Sequence, residues 1–268
     1  MTNLKKPENG AILSILTAYQ REFIHEKIHP YDENKIDWAH LERMRLDDYT
    51  QPEKHLFLWE TDEAVSVLRV CETEDFSASL LFETEGNKLE LNNFKAGVTY
   101  YWSVNDSEIR SFTTEDTVPR WIEAGGITNV RDAGNWNTKY GCKIRQGLLY
   151  RGSEMDIHHT ITENGKRTLR KDLKIKTDLD LRGKEALATP GSPMGEQVRF
   201  VSIPIGAYAI FMQNNQKQCL EIFEFLSDES NYPVYYHCWG GADRTGTLAF
   251  YLGAVFGMSE TSSGFENL

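Results

Sequence analysis

The chain has 268 residues, 40% hydrophobic and 12% aromatic, which is enough for a packed core and excludes a disordered chain. Its formal net charge of −11 excludes a nucleic-acid-binding protein of the usual kind, because a polyanion needs a basic face. Four cysteines without paired spacing (Cys71, Cys142, Cys219 and Cys238) exclude a disulfide framework or zinc site, and no run reaches the roughly 18 apolar residues of a membrane span.

The N-terminal stretch MTNLKKPENGAILSILTAYQ has two lysines and an interrupted apolar run without a convincing cleavage site. It predicts a soluble, cytoplasmic protein, with secretion left open. A strand is expected around Ala11 to Leu16, then a helix over residues 33–47, where Ile36, Leu41, Met44 and Leu46 recur at roughly helical spacing. Between residues 50 and 115 the runs HLFLWE, AVSVLRVCE, ASLLFET, KLELNNF, VTYYWSV and IRSFTTE are short, β-branched or aromatic, and separated by Gly, Asn and Asp turns. Val98, Tyr100, Trp102 and Val104 alternate with period two. Such strands predict an antiparallel β-sandwich. The stretch from FKAGVTYYWSV to SFTTED resembles the last strands of a fibronectin type III-like module. Composition shifts near TTEDTVPRWIEAGG, so we expect a β-sandwich with a helical insertion in residues 1–116 and a second domain in 117–268.

Downstream, strands and helices alternate. GLLYRGSEM and IKTDLDLRG read as strands ending in polar loops, ENGKRTLRKDL as a helix capped by Thr162, and VRFVSIPI as a strand. NNQKQCLEIFEFLSDE reads as an amphipathic helix with Cys219, Ile222, Phe223 and Leu226 on one stripe, YPVYYHC as a buried strand, and RTGTLAFYLGAVFGM as an apolar helix. This predicts an α/β domain with a central, mostly parallel sheet flanked by helices, and an α+β chain overall.

Between the last strand and helix lies YYHCWGGADRTGT. In an open parallel sheet this carboxyl-end position is where ligands bind. Gly240, Gly241 and Ala242 are small enough to let successive backbone N–H groups turn inward as an anion nest, and the helix N-terminus adds its dipole. Arg244 offers a planar, permanently charged fork to phosphate oxygens. The same surroundings favour a thiolate at Cys238, whose pKa is expected to be depressed. Attraction of an anionic substrate must come from this local cluster, since the global field is negative.

HCWGGADRTG matches the HCx5R(S/T) signature of the cysteine-dependent protein tyrosine phosphatase superfamily. GGITNVRDAGNW, LLYRGSEM and TDLDLRGKEA precede it in order, and resemble the NxRD, R-S/G and DLR elements of a bacterial tyrosine-phosphatase-like group. The resemblance covers about residues 119–258. It implies an α/β phosphatase fold and a phosphocysteine route without metal or other cofactor. It implies as substrate a phosphorylated protein or a small phosphoester, phosphoinositides included.

Carried onto this chain, the resemblance makes Cys238 the nucleophile. Arg244 and the amides of Trp239, Gly240, Gly241 and Ala242 would hold the equatorial oxygens. Thr245 would hydrogen-bond the sulfur, and His237 would orient the loop. Many relatives carry their general acid in a region matching VSIPIGAYAIF, which here has no Asp or Glu. We therefore assign the acid to Asp243, with Asp178 and Asp180 as alternatives, Asp180 more naturally bracing the loop. Arg182 reads as a phosphate contact or a structural ion pair, Arg131 and Asp132 as a structural pair, and Arg151 and Glu185 are open. The chain ends at GMSETSSGFENL, where relatives continue with further helices, so exposed apolar surface is expected on LAFYLGAVF. The reading is a protein tyrosine phosphatase. A phosphoinositide or inositol-phosphate phosphatase, or a non-catalytic phosphate-binding relative, is the alternative.

Overall fold

The structure, a computed structural model, describes residues 2–25, 50–183, 191–207 and 214–258. The helix expected over 33–47, and Glu185, lie outside the described residues. The chain divides into two compact units, residues 1–27 with 52–117, and residues 28–51 with 118–268.

The first unit contains β1 (Asn3–Lys6), β2 (Ala11–Leu13), α1 (Ala18–His25), β3 (His55–Glu60), β4 (Ser66–Cys71), β5 (Leu80–Thr84), β6 (Lys88–Leu91), β7 (Thr99–Val104) and β8 (Arg110–Thr114). They form a three-stranded sheet, β1-β3-β6, and a five-stranded sheet, β2-β8-β7-β4-β5. All pairings are antiparallel except β2 with β8. The strand expected from Ala11 to Leu16 stops at Leu13, and β1 precedes it. Lysines mask β1 in the sequence, because Leu4 alone of its four residues is buried.

Period-two alternation places Leu68 and Val70 of β4, Tyr100 and Trp102 of β7, and Phe57 and Trp59 of β3 in the core. Their rings close it: Phe57 meets Trp102 edge-on at 5.2 Å between centroids, and Phe112 lies 5.8 Å from Phe57, 5.1 Å from Phe94 and 5.4 Å from Tyr100. The Tyr100 hydroxyl accepts the backbone N–H of Lys95 at 2.9 Å, tying the turn before β7 to the strand.

The second unit contains β9 (Arg120–Trp121), β10 (Arg131–Asp132), β11 (Leu149–Gly152), α2 (Glu163–Arg167), β12 (Thr177–Asp180), β13 (Arg199–Ser202), α3 (Gln216–Ser227), β14 (Val234–His237) and α4 (Asp243–Phe256). The Thr162 side chain caps α2 by accepting the Gly165 N–H, and a wider π-turn, Thr168–Asp172, continues it. Six strands form one mixed sheet, β13-β12-β14-β11-β10-β9. The four inner and edge strands β13, β12, β14 and β11 run parallel, while β10 and β9 add antiparallel pairs.

β14 is buried on both faces, as a central parallel strand requires. Tyr235 joins one core cluster with Leu169, Leu173 and Ile175. Val234, Tyr236 and Cys238 join the other, with Cys219 and Ile222 of α3 and Leu248 and Leu252 of α4. Register sets Gly152 of β11 and Asp180 of β12 beside His237. Three carboxyl ends therefore finish in one row. On α4, Phe250 is 48% and Val255 62% exposed, within the stretch expected to show apolar surface.

Among the described residues no helix is long and apolar enough to cross a membrane. The core of the first unit yields a test. Phe112→Ala, which empties a site bounded by three aromatic rings, should lower unfolding free energy by about 3–5 kcal/mol in urea denaturation.

Candidate active site

The loop after β14 gets its shape from contacts on its outer side. Gly241 has φ +71°, and a Cβ there would lie within 2.5 Å of the Gly152 carbonyl, so only glycine fits. Gly240 meets nothing within 4 Å, so its small size answers no steric need in the structure. Three successive carbonyls are held from outside. Trp239 O accepts the Glu154 N–H at 2.8 Å, Gly240 O accepts Asn129 Nδ2 at 3.0 Å, and Gly241 O accepts Arg151 Nη2 at 3.1 Å. The C=O and N–H of a trans peptide point in opposite directions. Fixing these carbonyls outward turns the N–H groups of Gly240, Gly241 and Ala242 to the inner side. α4 starts at Asp243, so its N-terminal amides and dipole face the same region.

Around this cup the residues singled out in the sequence are distributed as follows. Cys238 is 3% exposed at the end of the apolar strand. Arg244 is half-buried, and among the described residues its guanidinium makes a long contact, Nη1 to the Leu181 carbonyl at 3.5 Å. Thr245 is buried and its hydroxyl has no hydrogen-bond partner among the described residues, the sulfur of Cys238 included. Asp243 is exposed in the first turn of α4. Ala242 and Gly240 are exposed, and Trp239 is half-buried.

Beneath the loop lies a buried network of charge. His237 Nε2 sits 3.0 Å from Asp178 Oδ1, and its Nδ1 is 4.0 Å from Asp180 Oδ1. Burial works against the charged imidazole, but Asp178 and then Asp180 outweigh it and raise its pKa to about 9. The Arg182 guanidinium, expected as a possible phosphate contact, is instead wrapped in carboxylates: Asp180 takes Nη2 at 2.8 Å and Asp156 takes Nη1 at 2.9 Å. Burial opposes its charge, and hydrogen bonds to Asp180 and Asp156 more than restore it, raising its pKa.

Glu154 completes the network. Burial alone would raise its carboxyl pKa, but backbone bonds, led by those from Asp156 and Ile157, hold it down to about 2. Four consecutive amides, from Asp156 to His159, donate to it at 2.6–2.8 Å.

Sequence reading missed Glu154 and Asp156, and gave no role to Asn129, the first residue of the NxRD element. None stands at a position the loop signature specifies; the acids of DIHH and SEM gave no periodic signal. Asp178 and Asp180, the alternatives for the acid, are fully buried and already bonded to His237 and Arg182. Asp132, paired with Arg131 in the sequence reading, binds Arg120 at 2.8 Å. Arg131 donates to Asn129 and lies over the Trp121 ring. β9 brings Arg120 opposite Asp132, a pairing that strands of two residues leave unmarked in the sequence.

A small cavity of about 20 Å³ lies elsewhere, lined by Arg131, Arg151, Tyr236, Leu252 and others. None of its lining residues belongs to the loop. Among the described residues no cluster of His, Cys, Asp or Glu could hold a metal ion.

A family model described as "Tyrosine phosphatase family" matches residues 122–262, just over half of the chain. No curated protein matches. Among solved structures, the chain is similar to the core catalytic domain of the PP-IP phosphatase SIW14 from S. cerevisiae in complex with citrate. That match has 17% identity, covers 46% of this chain and 84% of that one, and has a TM-score of 0.27. It is similar to TpbA of P. aeruginosa at 22% identity, over 45% of this chain and 68% of that one, with a TM-score of 0.32. TpbA in complex with pTyr gives 18% identity, 55% and 75% coverage, and a TM-score of 0.34.

The buried histidine makes a pH prediction. Its folded pKa of about 9 exceeds the ordinary 6.5, so its contribution is complete below pH 6.5 and disappears as pH rises through 9. From pH 6 to pH 10, urea unfolding should show wild type losing about 3 kcal/mol more than His237→Asn. Parallel curves for the two proteins would contradict the charged imidazole.

Proposed function

The chain belongs to the tyrosine phosphatase family, and from that premise we propose that it hydrolyses phosphate monoesters through a phosphocysteine intermediate. The observation that carries the proposal is the placement of Cys238. It sits at the carboxyl edge of the parallel sheet, with three outward-held loop carbonyls and the start of α4 around it.

The steps follow from the charges that develop. Cys238 Sγ attacks phosphorus in line with the leaving oxygen, forming the S–P bond as the P–O bond breaks. The equatorial oxygens are held by the inward amides from Trp239 to Arg244 and by the Arg244 guanidinium. Asp243 gives its proton to the leaving oxygen. Water then attacks phosphorus, its proton returns to Asp243, and the S–P bond breaks to release inorganic phosphate. The Thr245 hydroxyl, buried without a partner among the described residues, would donate to the sulfur as it leaves. Among the described residues Arg244 makes a long contact only, and we read its fork as available for phosphate.

Tyrosine phosphate on protein is the favoured substrate. A specific feature supports the second reading, an inositol phosphate or phosphoinositide. The segment after β13 offers no Asp or Glu, so the acid comes from within the loop and the pocket wall differs from that of relatives with a mobile acid loop. We read the first unit as a fibronectin type III-like sandwich. Its two sheets, its aromatic core and the Tyr100–Lys95 bond support that reading.

Two experiments decide the chemistry. Wild type should release para-nitrophenol from its phosphate ester and Cys238→Ser should not; phosphate binding without turnover in wild type would replace the enzyme with a binding protein. Asp243→Asn should lower kcat by about 10²–10⁴-fold for alkyl esters and little for nitrophenyl esters. An equal loss for both would remove Asp243 as the acid.

A further inference from the structure

We propose that Arg182 is a positioning residue for the catalytic loop: it holds Trp239, the residue after the nucleophile, and does not touch phosphate. The inference rests on the phosphatase reading of Cys238 and Arg244.

Arg182 follows the end of β12 and is 1% exposed. Its edges are committed to carboxylates. Nε lies 3.1 Å from each oxygen of Asp180, Nη2 lies 2.8 Å from Asp180 Oδ2, and Nη1 lies 2.9 Å from Asp156 Oδ1 and 3.5 Å from Glu154 Oε2. The backbone N–H of Arg182 also donates to Asp180 Oδ1, at 2.8 Å. These bonds fix the plane of the guanidinium and leave its flat faces. Its central carbon lies 5.1 Å from the centre of the Trp239 ring, within the range of a cation–π contact. A guanidinium is planar and weakly hydrated, so it stacks on an indole where an ammonium would not.

Trp239 is gripped at its other end by the same cluster. Its carbonyl accepts the Glu154 N–H at 2.8 Å. The carboxylate of Glu154 is itself fixed by four amides, and the ring of His158, in that same turn, lies 4.9 Å from the indole. The turn of residues 154–159, Arg182 and the first peptide of the loop thus form one clasp. That first peptide carries the Gly240 N–H, the first amide on the inner side of the cup. Freeing the indole lets this plane swing, and a displacement of about 1 Å at a positioning group can cost roughly 10²-fold in rate.

The test is a double-mutant cycle between Arg182→Lys, which keeps the charge but loses fork and flat face, and Trp239→Leu, which leaves every carboxylate bond of Arg182 intact. Each single variant should lower kcat/KM for para-nitrophenyl phosphate by roughly 10- to 100-fold. The double variant should fall within about threefold of the weaker single, because both remove one contact. A direct phosphate ligand would behave otherwise: the losses would multiply, which overturns the proposal. If Arg182→Lys does not fold, Trp239→Leu alone decides, since unchanged activity in it would also overturn the clasp. If the unmutated chain releases no nitrophenol, the phosphatase reading fails separately. The same cycle is then read as unfolding free energy, where coupling sustains the clasp and additivity rejects it.

Discussion

Two backbones meet where β11 ends and the loop after β14 turns, and the site depends on how closely they approach. At Gly241 the left-handed φ of +71° and the nearby carbonyl of Gly152 leave no room for a Cβ. At Gly152 a Cβ would run into the Tyr235 hydroxyl, which donates to Ser153 O at 2.7 Å. Arg151, one residue before Gly152, reaches the Gly241 carbonyl. One strand end thus supplies both the empty space that lets the loop come close and the donor that keeps it there. Because strand register fixes Gly152 and Asp180 on either side of His237, the loop hangs from two neighbours as well as from its own strand.

A cup for an anion in a chain of net charge −11 must manage its own carboxylates. Asp178, Asp180, Asp156 and Glu154 lie buried or nearly so around Arg182 and His237. With His237 protonated the cluster carries four negative and two positive charges; without that proton the imbalance grows to three. Unpaired buried charge is costly, so the imidazole proton limits the repulsion that the strand end would otherwise carry. None of these carboxylates is unsatisfied. Glu154 spends its charge on amides, Asp180 on Arg182, and Asp178 on His237 and the Ser192 hydroxyl, which donates to it at 2.7 Å. Their field is absorbed locally, and the inner side of the loop is left to N–H groups, the dipole of α4 and Arg244.

The loop was legible because its chemistry is compressed into consecutive residues. Cys238, Gly241, Arg244 and Thr245 carry geometric demands that few other residues meet, and β14 and α4 flank them with long apolar runs. β11 and β12 were legible for the same reason, through buried Leu149, Leu179 and their neighbours. What failed to show was everything held together by distance in sequence. Arg120 finds Asp132 through two-residue strands, too short for any periodicity. Glu154 acts on amides of its own turn, a pattern with no residue-type signature beyond the acid itself. Arg182 was visible as an arginine near the site, but of its partners only Asp180 is a sequence neighbour; Asp156 and Glu154 lie 26 and 28 positions upstream, and only the fold shows that its edges are taken. In the first unit β1 was hidden because its one core residue, Leu4, sits among lysines.

The three candidate acids differ in access more than in chemistry. In an in-line displacement the leaving oxygen departs opposite the sulfur, on the open side of the cup. Asp178 and Asp180 lie on β12 beside the strand that leads to Cys238, fully buried and bonded to His237 and Arg182. Either would have to leave those bonds to act on the proposed substrate. Asp243 is exposed where α4 begins, one residue from the Arg244 guanidinium. The other two are held by His237 and Arg182, so Asp243 is the candidate that faces solvent. That difference supports an acid built into the loop, and it makes the buried aspartates the frame on which the loop is set.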